Sequence, residues 1–199
     1  MNHFCKTIGL LFMTSALLAP GAGAADSAKI ESLSLNGKWQ ARVTDESRSG
    51  EEQWHDMTVP GYFGCPRDKF VLFRRTAKIP ADWKGKRIFL NFRGARYTPK
   101  FFVDGRLAGE QGDGWTPAHI EITDFAKPGG ECEISVLCGG RGAVDKPNTT
   151  PDEVGRTIFP VGSWRDSTGI WLPASVEARG AVFVPESEWR ISTSVRKGT

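Results

Sequence analysis

Three consecutive side chains carry the clearest recognition chemistry in this chain. Trp164, Arg165 and Asp166 set a planar ring, a cation and a carboxylate side by side, just before the strand-like Gly169-Ile170-Trp171. An aromatic face can stack on the apolar side of a polar ring while charged neighbours hydrogen-bond its hydroxyls. The trio therefore suits recognition of a sugar, but does not by itself suggest bond cleavage. Trp115, within Gly-Trp-Thr-Pro, is a second candidate contact; alternatively its ring pins a hairpin to the body of the fold. Tyr97 also lies in or beside a loop, whereas Trp39, Trp54 and Trp171 sit in strand-like patterns that suit core packing.

Hydrolysis of a glycoside requires two carboxylates placed across the scissile bond. Glu110, Asp113, Glu121, Asp124 and Asp166 are available, yet none has a context that sets it apart from an ordinary turn or loop acid. The sequence contains no Gly-x-Ser-x-Gly elbow and no glycine loop leading into a helix to cradle phosphate. His55 and His119 stand alone, and no Cys/His spacing matches a zinc site. Neither a catalytic residue nor a metal or cofactor is expected from these residues.

The elements that must position the trio read as short strands. Trp39, Ala41 and Val43 alternate with Gln40 and Arg42. Val71, Phe73, Ala77 and Ile79 share a parity broken by Leu72 and Arg75. Ile88, Leu90 and Phe92 alternate with polar residues, with Phe89 on the outer parity; Ile134, Val136 and Cys138 share another face. Period-2 runs bounded by Gly, Pro, Asp and Asn are strand signals. Asp104-Gly105 predicts a two-residue hairpin, and residues 80–85 and 127–130 predict tight connections. No amphipathic stretch of helix length interrupts residues 34–179, so an all-β antiparallel sandwich, a jelly roll, is expected. Residues 139–168 form a long connection rich in Gly, Pro, Asn, Asp and Thr, a length usual for functional or disordered loops.

The ends follow other rules. Lys6, the apolar run over residues 8–18 and Ala22-Gly23-Ala24 predict a secretory signal peptide over residues 1–24, its apolar run too short to span a bilayer. Its removal leaves about 175 residues, of which residues 25–180 are enough to build one domain with a real core. The expected location is outside the cell or in a periplasm. The formal charge of +3 comes from basic residues dispersed among acidic ones, which is a solvated surface rather than a nucleic-acid footprint. Cys132 and Cys138 lie on one expected strand, roughly 20 Å apart and beyond disulfide reach. Cys65 could pair with either, but buried inert thiols are the simpler expectation. Asn148-Thr149-Thr150 fits a glycosylation acceptor in a eukaryotic secretory host. Residues 181–199 read as a linker and one further amphipathic strand, with Trp189, Ile191, Thr193 and Val195 on one face.

Six segments in order carry a resemblance. They are LNGKWQARV, MTVPGYFG, FRRTAKIPADWKGKRIFLNFRGA, the Tyr97 segment running to FFVDGRLAGE, GWTPAHIEITDFAKPGGECEISV, and TGIWLPASVEA. Together they resemble the N-terminal sugar-binding domain of glycoside hydrolase family 2, which includes β-galactosidases, β-glucuronidases and β-mannosidases. The resemblance implies a galactose-binding-like jelly roll that is followed, in the family, by an immunoglobulin-like domain and a TIM barrel carrying both catalytic glutamates. It implies that residues 181–199 begin the immunoglobulin-like domain and that the chain is cut short before the barrel. Trp164, Arg165 and Asp166 match a segment that in some members lends polar groups to the edge of the active site, while Leu172 departs from the Arg or Gln often found there. The reading that results is a non-catalytic, carbohydrate-associated domain of a secreted β-glycosidase. A free-standing carbohydrate-binding module and a purely structural interaction domain are the alternatives.

Overall fold

The computed structural model describes residues 30–49, 53–144 and 167–180. Residues 1–24, expected to be a signal peptide, and Asn148, Trp164, Arg165, Asp166 and residues 181–199 lie outside them.

Alternating sequence becomes antiparallel sheet throughout. The four-stranded sheet runs β1 (Glu31–Ser34), β13 (Ala174–Arg179), β6 (Arg87–Phe92), β10 (Ala118–Glu121). The six-stranded sheet runs β3 (His55–Val59), β2 (Gly37–Thr44), β5 (Phe70–Lys78), β11 (Glu131–Gly139), β8 (Lys100–Val103), β9 (Arg106–Glu110). A small third sheet sets β12 (Ser167–Ile170) between β4 (Phe63–Gly64) and β7 (Ala95–Arg96). Among the described residues, helix is confined to a 3₁₀ turn at Ala81–Trp83 and one turn, α1, at Arg141–Val144. The expected all-β sandwich is the fold.

The core lies between the two larger sheets. Trp39, Phe73, Phe101, Ile134 and Val136 point in from the six-stranded sheet, and Ile88, Leu90, Phe92 and Val176 meet them from the four-stranded one. The strict register of β11 on β5, from Glu131↔Lys78 to Gly139↔Phe70, keeps every second side chain inward. A slip of one residue would turn all of them to water. Asp104 and Gly105 take φ of 48° and 76° between β8 and β9, as a type I′ hairpin turn requires.

The two breaks in the β5 pattern have separate causes. Leu72 faces away from the main core and joins Phe102 and Leu137 in a second cluster on the outer side of the six-stranded sheet. Guanidinium groups roof that cluster: Arg48 lies 3.9 Å from the Phe102 ring centre, and Arg74 lies 3.8 Å from that of Trp54. Trp54 is thus part of this outer patch and not of the main core, contrary to its strand-like pattern. Arg75 keeps the inward parity but escapes burial by donating Nη1 to the carbonyls of Leu35 and Asn36, at 2.8 and 2.6 Å. Val43 pairs with Val71 on the core side yet is only half-buried, while Thr44 on the other parity is buried.

None of Cys65, Cys132 and Cys138 is in a disulfide. Cys132 and Cys138 share β11 as expected, and both are buried. Burial, with the Asp104 carboxylate nearby, pushes the Cys132 thiol up to about 11, and burial raises Cys138 further still. Both are protonated and inert near neutral pH.

Two charged groups, Glu177 and Arg179, are buried on the outward parity of the four-stranded sheet. Glu177 accepts hydrogen bonds from Asn91 Nδ2 at 2.6 Å, Arg179 Nη2 at 3.0 Å and Ser175 Oγ at 3.2 Å. Burial opposes its ionisation, but these donors outweigh burial and hold its pKa below the ordinary 4.5. A carboxylate whose pKa is depressed by folding adds stability that is complete above its unfolded value and is lost as pH falls through the folded one. Thermal melts of Glu177→Gln across pH 7 to pH 3 are therefore expected to fall less steeply on the acid side than those of the parent. Parallel curves would show that this carboxylate is not coupled to folding.

Candidate functional site

The small sheet determines what gathers at one end of the sandwich. β12 pairs through Ser167↔Gly64 and Thr168↔Phe63 on one side, and through Gly169↔Arg96 and Ile170↔Ala95 on the other. Gly61 N–H donates to the Ile170 carbonyl at 2.8 Å, and Trp171 N–H to that of Gly94 at 3.1 Å. Segments remote in sequence, around residues 61–64, 94–97 and 167–171, are thereby fixed as neighbours.

At their meeting point four rings surround one cation. The Arg96 guanidinium carbon lies 4.7 Å from the centre of Tyr62, 4.9 Å from Trp115, 5.6 Å from Trp171 and 5.7 Å from Tyr97. Arg96 is only 8% exposed, so its charge is held largely out of water, where attraction to ring faces is strongest. Trp115 meets Trp171 nearly edge-on, with centres 5.6 Å apart. The Trp171 indole N–H donates to the Gly114 carbonyl at 3.1 Å.

The loop that bears Trp115 is locked from within. Asp113 Oδ1 accepts the backbone N–H groups of Trp115 and Thr116, at 2.7 and 2.8 Å. Burial works against its charge, yet these bonds and the Thr116 hydroxyl keep its pKa below the ordinary carboxylate value. Gly114 is required by close approach, because a Cβ there would sit 2.2 Å from Arg96 Cβ.

The residues singled out from sequence divide accordingly. Trp115 is half-buried and anchors its loop against Trp171, as the alternative reading of it supposed. Trp171 belongs to this cluster at the edge and is half-buried rather than in the core. Tyr97, considered as a platform, is fully buried, because its backbone pairs in both directions with Gly139. Trp164, Arg165 and Asp166 lie outside the described residues; Asp166 directly precedes β12 in the chain. Among the carboxylates, Asp113 is committed to its turn. Glu121 is gripped by Arg87 through bonds of 2.9 and 2.6 Å, which lower its pKa against the smaller effect of burial.

Sequence reasoning missed Tyr62 and Arg96. The signal for Tyr62 was a lone tyrosine between Gly61 and Phe63 just after Val-Pro, a ring in a turn with no strand face to bury it. Nothing local marks Arg96, whose role depends on rings brought in by three other segments.

A separate open hollow of about 630 Å³ lies on the outer face of the six-stranded sheet, where it includes Lys38, Asp56, Arg74 and Glu133. Its charges neutralise one another: Lys38 pairs with Asp56 at 3.4 Å, and Arg74 with Glu133 at 3.9 Å. It has size without a ring offered to solvent, so the end bearing Arg96 is the better site.

Comparison with known proteins places these features. No family model matches the chain. It is 33% identical over 95 residues to a β-galactosidase of Thermoanaerobacter pseudethanolicus, covering 46% of this chain and 13% of that enzyme. It is 32% identical over 66 residues to a β-glucuronidase of Formosa agariphila, covering 33% of this chain and 7% of the other. The β-D-glucuronidase structure of Dictyoglomus thermophilum superposes with a TM-score of 0.59 at 21% identity, over 78% of this chain and 29% of that one. The chain resembles the N-terminal domain of glycoside hydrolase family 2 enzymes. A structure of a putative β-galactosidase from Bacteroides fragilis gives a TM-score of 0.56 at 24% identity, over 76% of this chain and 23% of that one. At these identities the structural matches establish the sandwich. The chain spans less than a third of the length of each of these relatives.

Proposed function

We propose that this chain is the non-catalytic, carbohydrate-associated domain of a secreted family 2 β-glycosidase and has no hydrolytic activity of its own. The observation that carries this reading is the Arg96 ring cluster, which adjoins the strand that Asp166 precedes. A cluster of rings pinned at a sheet end provides an apolar-and-polar surface of the kind that receives a sugar. Trp164, Arg165, Asp166 and Trp115 are its proposed carbohydrate contacts. In a complete enzyme the domain would stand beside an immunoglobulin-like domain and a TIM barrel, the barrel performing hydrolysis and this sandwich shaping one side of the sugar pocket. Export rests on the signal-peptide pattern of residues 1–24.

The test uses a panel of nitrophenyl β-glycosides and the purified chain. The expected result is no nitrophenol release above the buffer rate, together with a saturable change in tryptophan fluorescence on adding methyl β-glycosides. Release that is lost on substituting Asp113 or Glu121 would overturn the non-catalytic reading. A fluorescence signal indifferent to every sugar would leave a structural interaction domain as the better description.

A further inference from the structure

Of the rings around Arg96, one is offered to solvent. Tyr62 is 53% exposed, and it is the exposed aromatic among the large apolar side chains of the described residues. The Arg96 guanidinium covers one face of the ring at 4.7 Å, and an exposure near one half is what a ring with one covered face shows. Its backbone is fixed as well: Gly61 is hydrogen-bonded to Ile170, and Gly169 packs so closely that a Cβ there would lie 2.8 Å from Tyr62 Cα. A surface aromatic usually loses rotamer freedom when it binds a ligand; this one has already lost much of it.

We propose that Tyr62 is a stacking platform for a pyranose ring, the sugar laying its apolar C–H face on the ring face turned away from Arg96. The inference rests on the carbohydrate-associated reading and deepens it by naming the ring that makes the contact. Arg96 acts here as a positioning residue, holding the platform rigid from behind. Trp115, 4.9 Å from the same guanidinium, reports on the site because its indole senses any shift of that cation. The chemistry required of the ligand is a contiguous patch of axial C–H groups, as on one face of β-galactose, rather than charge.

The test titrates methyl β-D-galactopyranoside into the full chain and its Tyr62 variants, following tryptophan fluorescence and saturation-transfer NMR of the sugar protons. Aromatic stacking of this strength corresponds to up to about a tenfold change in affinity. Tyr62→Ala is expected to weaken binding about tenfold, while Tyr62→Phe, which keeps the ring, stays within about twofold of the parent. Saturation transfer should fall most on the protons of one sugar face. Thermal melts of Tyr62→Ala should fall by only a few degrees, since the half-exposed ring gives up one cation contact and leaves the core intact. If the parent binds sugar and Tyr62→Ala binds equally well, the platform is wrong while the carbohydrate reading survives. If the parent shows no binding to any methyl β-glycoside at 50 mM or below, a concentration on the order of a very weak contact, both fall. If Tyr62→Ala abolishes self-association of the chain and leaves sugar binding untouched, the ring docks protein and the proposal is overturned.

Discussion

Gly169→Ala is expected to cost about 3 kcal/mol of folding stability, at the upper end of the usual range for overpacking. An added Cβ would lie 2.3 Å from the Gly61 carbonyl oxygen and 2.8 Å from Tyr62 Cα. Both are backbone atoms, so no side chain can rotate away to relieve the contact. The Gly61 segment cannot easily retreat either, because its N–H is bound to the Ile170 carbonyl at 2.8 Å. β12 must therefore separate from β4, breaking the Ser167↔Gly64 and Thr168↔Phe63 pairs and opening the ring cluster. For a domain of this size each kcal/mol moves the melting temperature by roughly 2–4 °C, so a fall of about 6–12 °C is expected by calorimetry. Gly64→Ala supplies the control within the same small sheet, since its Cβ would meet nothing within 4 Å. It should melt within about 2 °C of the parent, as ordinary surface substitutions do. Equal melting temperatures for the two variants would mean that β12 does not pack on residues 61–62.

Trp39→Ala is expected to lose about 3–5 kcal/mol, the cost of deleting a large aromatic from a core that cannot fully collapse. Trp39 is 2% exposed and meets Phe92 nearly edge-on at 6.3 Å, joining the six-stranded layer to the four-stranded one. Its indole N–H donates to the Leu35 carbonyl at 2.7 Å. That oxygen also accepts from Arg75 at 2.8 Å, so it keeps a donor when the indole is removed. The loss is thus mostly cavity and lost burial, and little of it is an orphaned polar group. Trp39→Phe should accordingly recover more than half of the loss, although it restores no hydrogen bond. Urea midpoints at constant slope measure both variants. A Trp39→Phe chain as unstable as Trp39→Ala would shift the explanation from packing to the hydrogen bond.

These residues show why the fold was more legible than the site. Strand faces obey a local rule: Trp39, Phe73, Leu90 and Val136 lie inward because every second residue of a half-buried strand must. The Asp104-Gly105 turn was readable for the same reason, its positive φ values being a property of two adjacent residues. Leu72 on the outer cluster was not readable, because its partners Phe102 and Leu137 and the cover of Arg48 and Trp54 come from other strands and loops. The site obeys no local rule at all. Arg96, Tyr62, Trp115 and Trp171 come from four segments, brought together by the pairing of β12 with β4 and β7 and by the Trp171 indole bond to the Gly114 carbonyl. Tyr97 marks the limit of the local approach. A tyrosine in or beside a loop was open to ligand contact on its sequence, but its backbone bonds to Gly139 draw it fully inside.

The proposed sugar site is tested most directly by amide and indole N–H chemical shifts recorded while a methyl β-glycoside is added to the isotope-labelled chain. The expected shifts cluster on Tyr62, Arg96, Trp115, Trp171 and the strand leading to Ile170. Shifts confined to Lys38, Arg74 and Glu133 on the outer sheet face, or a spectrum unmoved at saturating sugar, would contradict it.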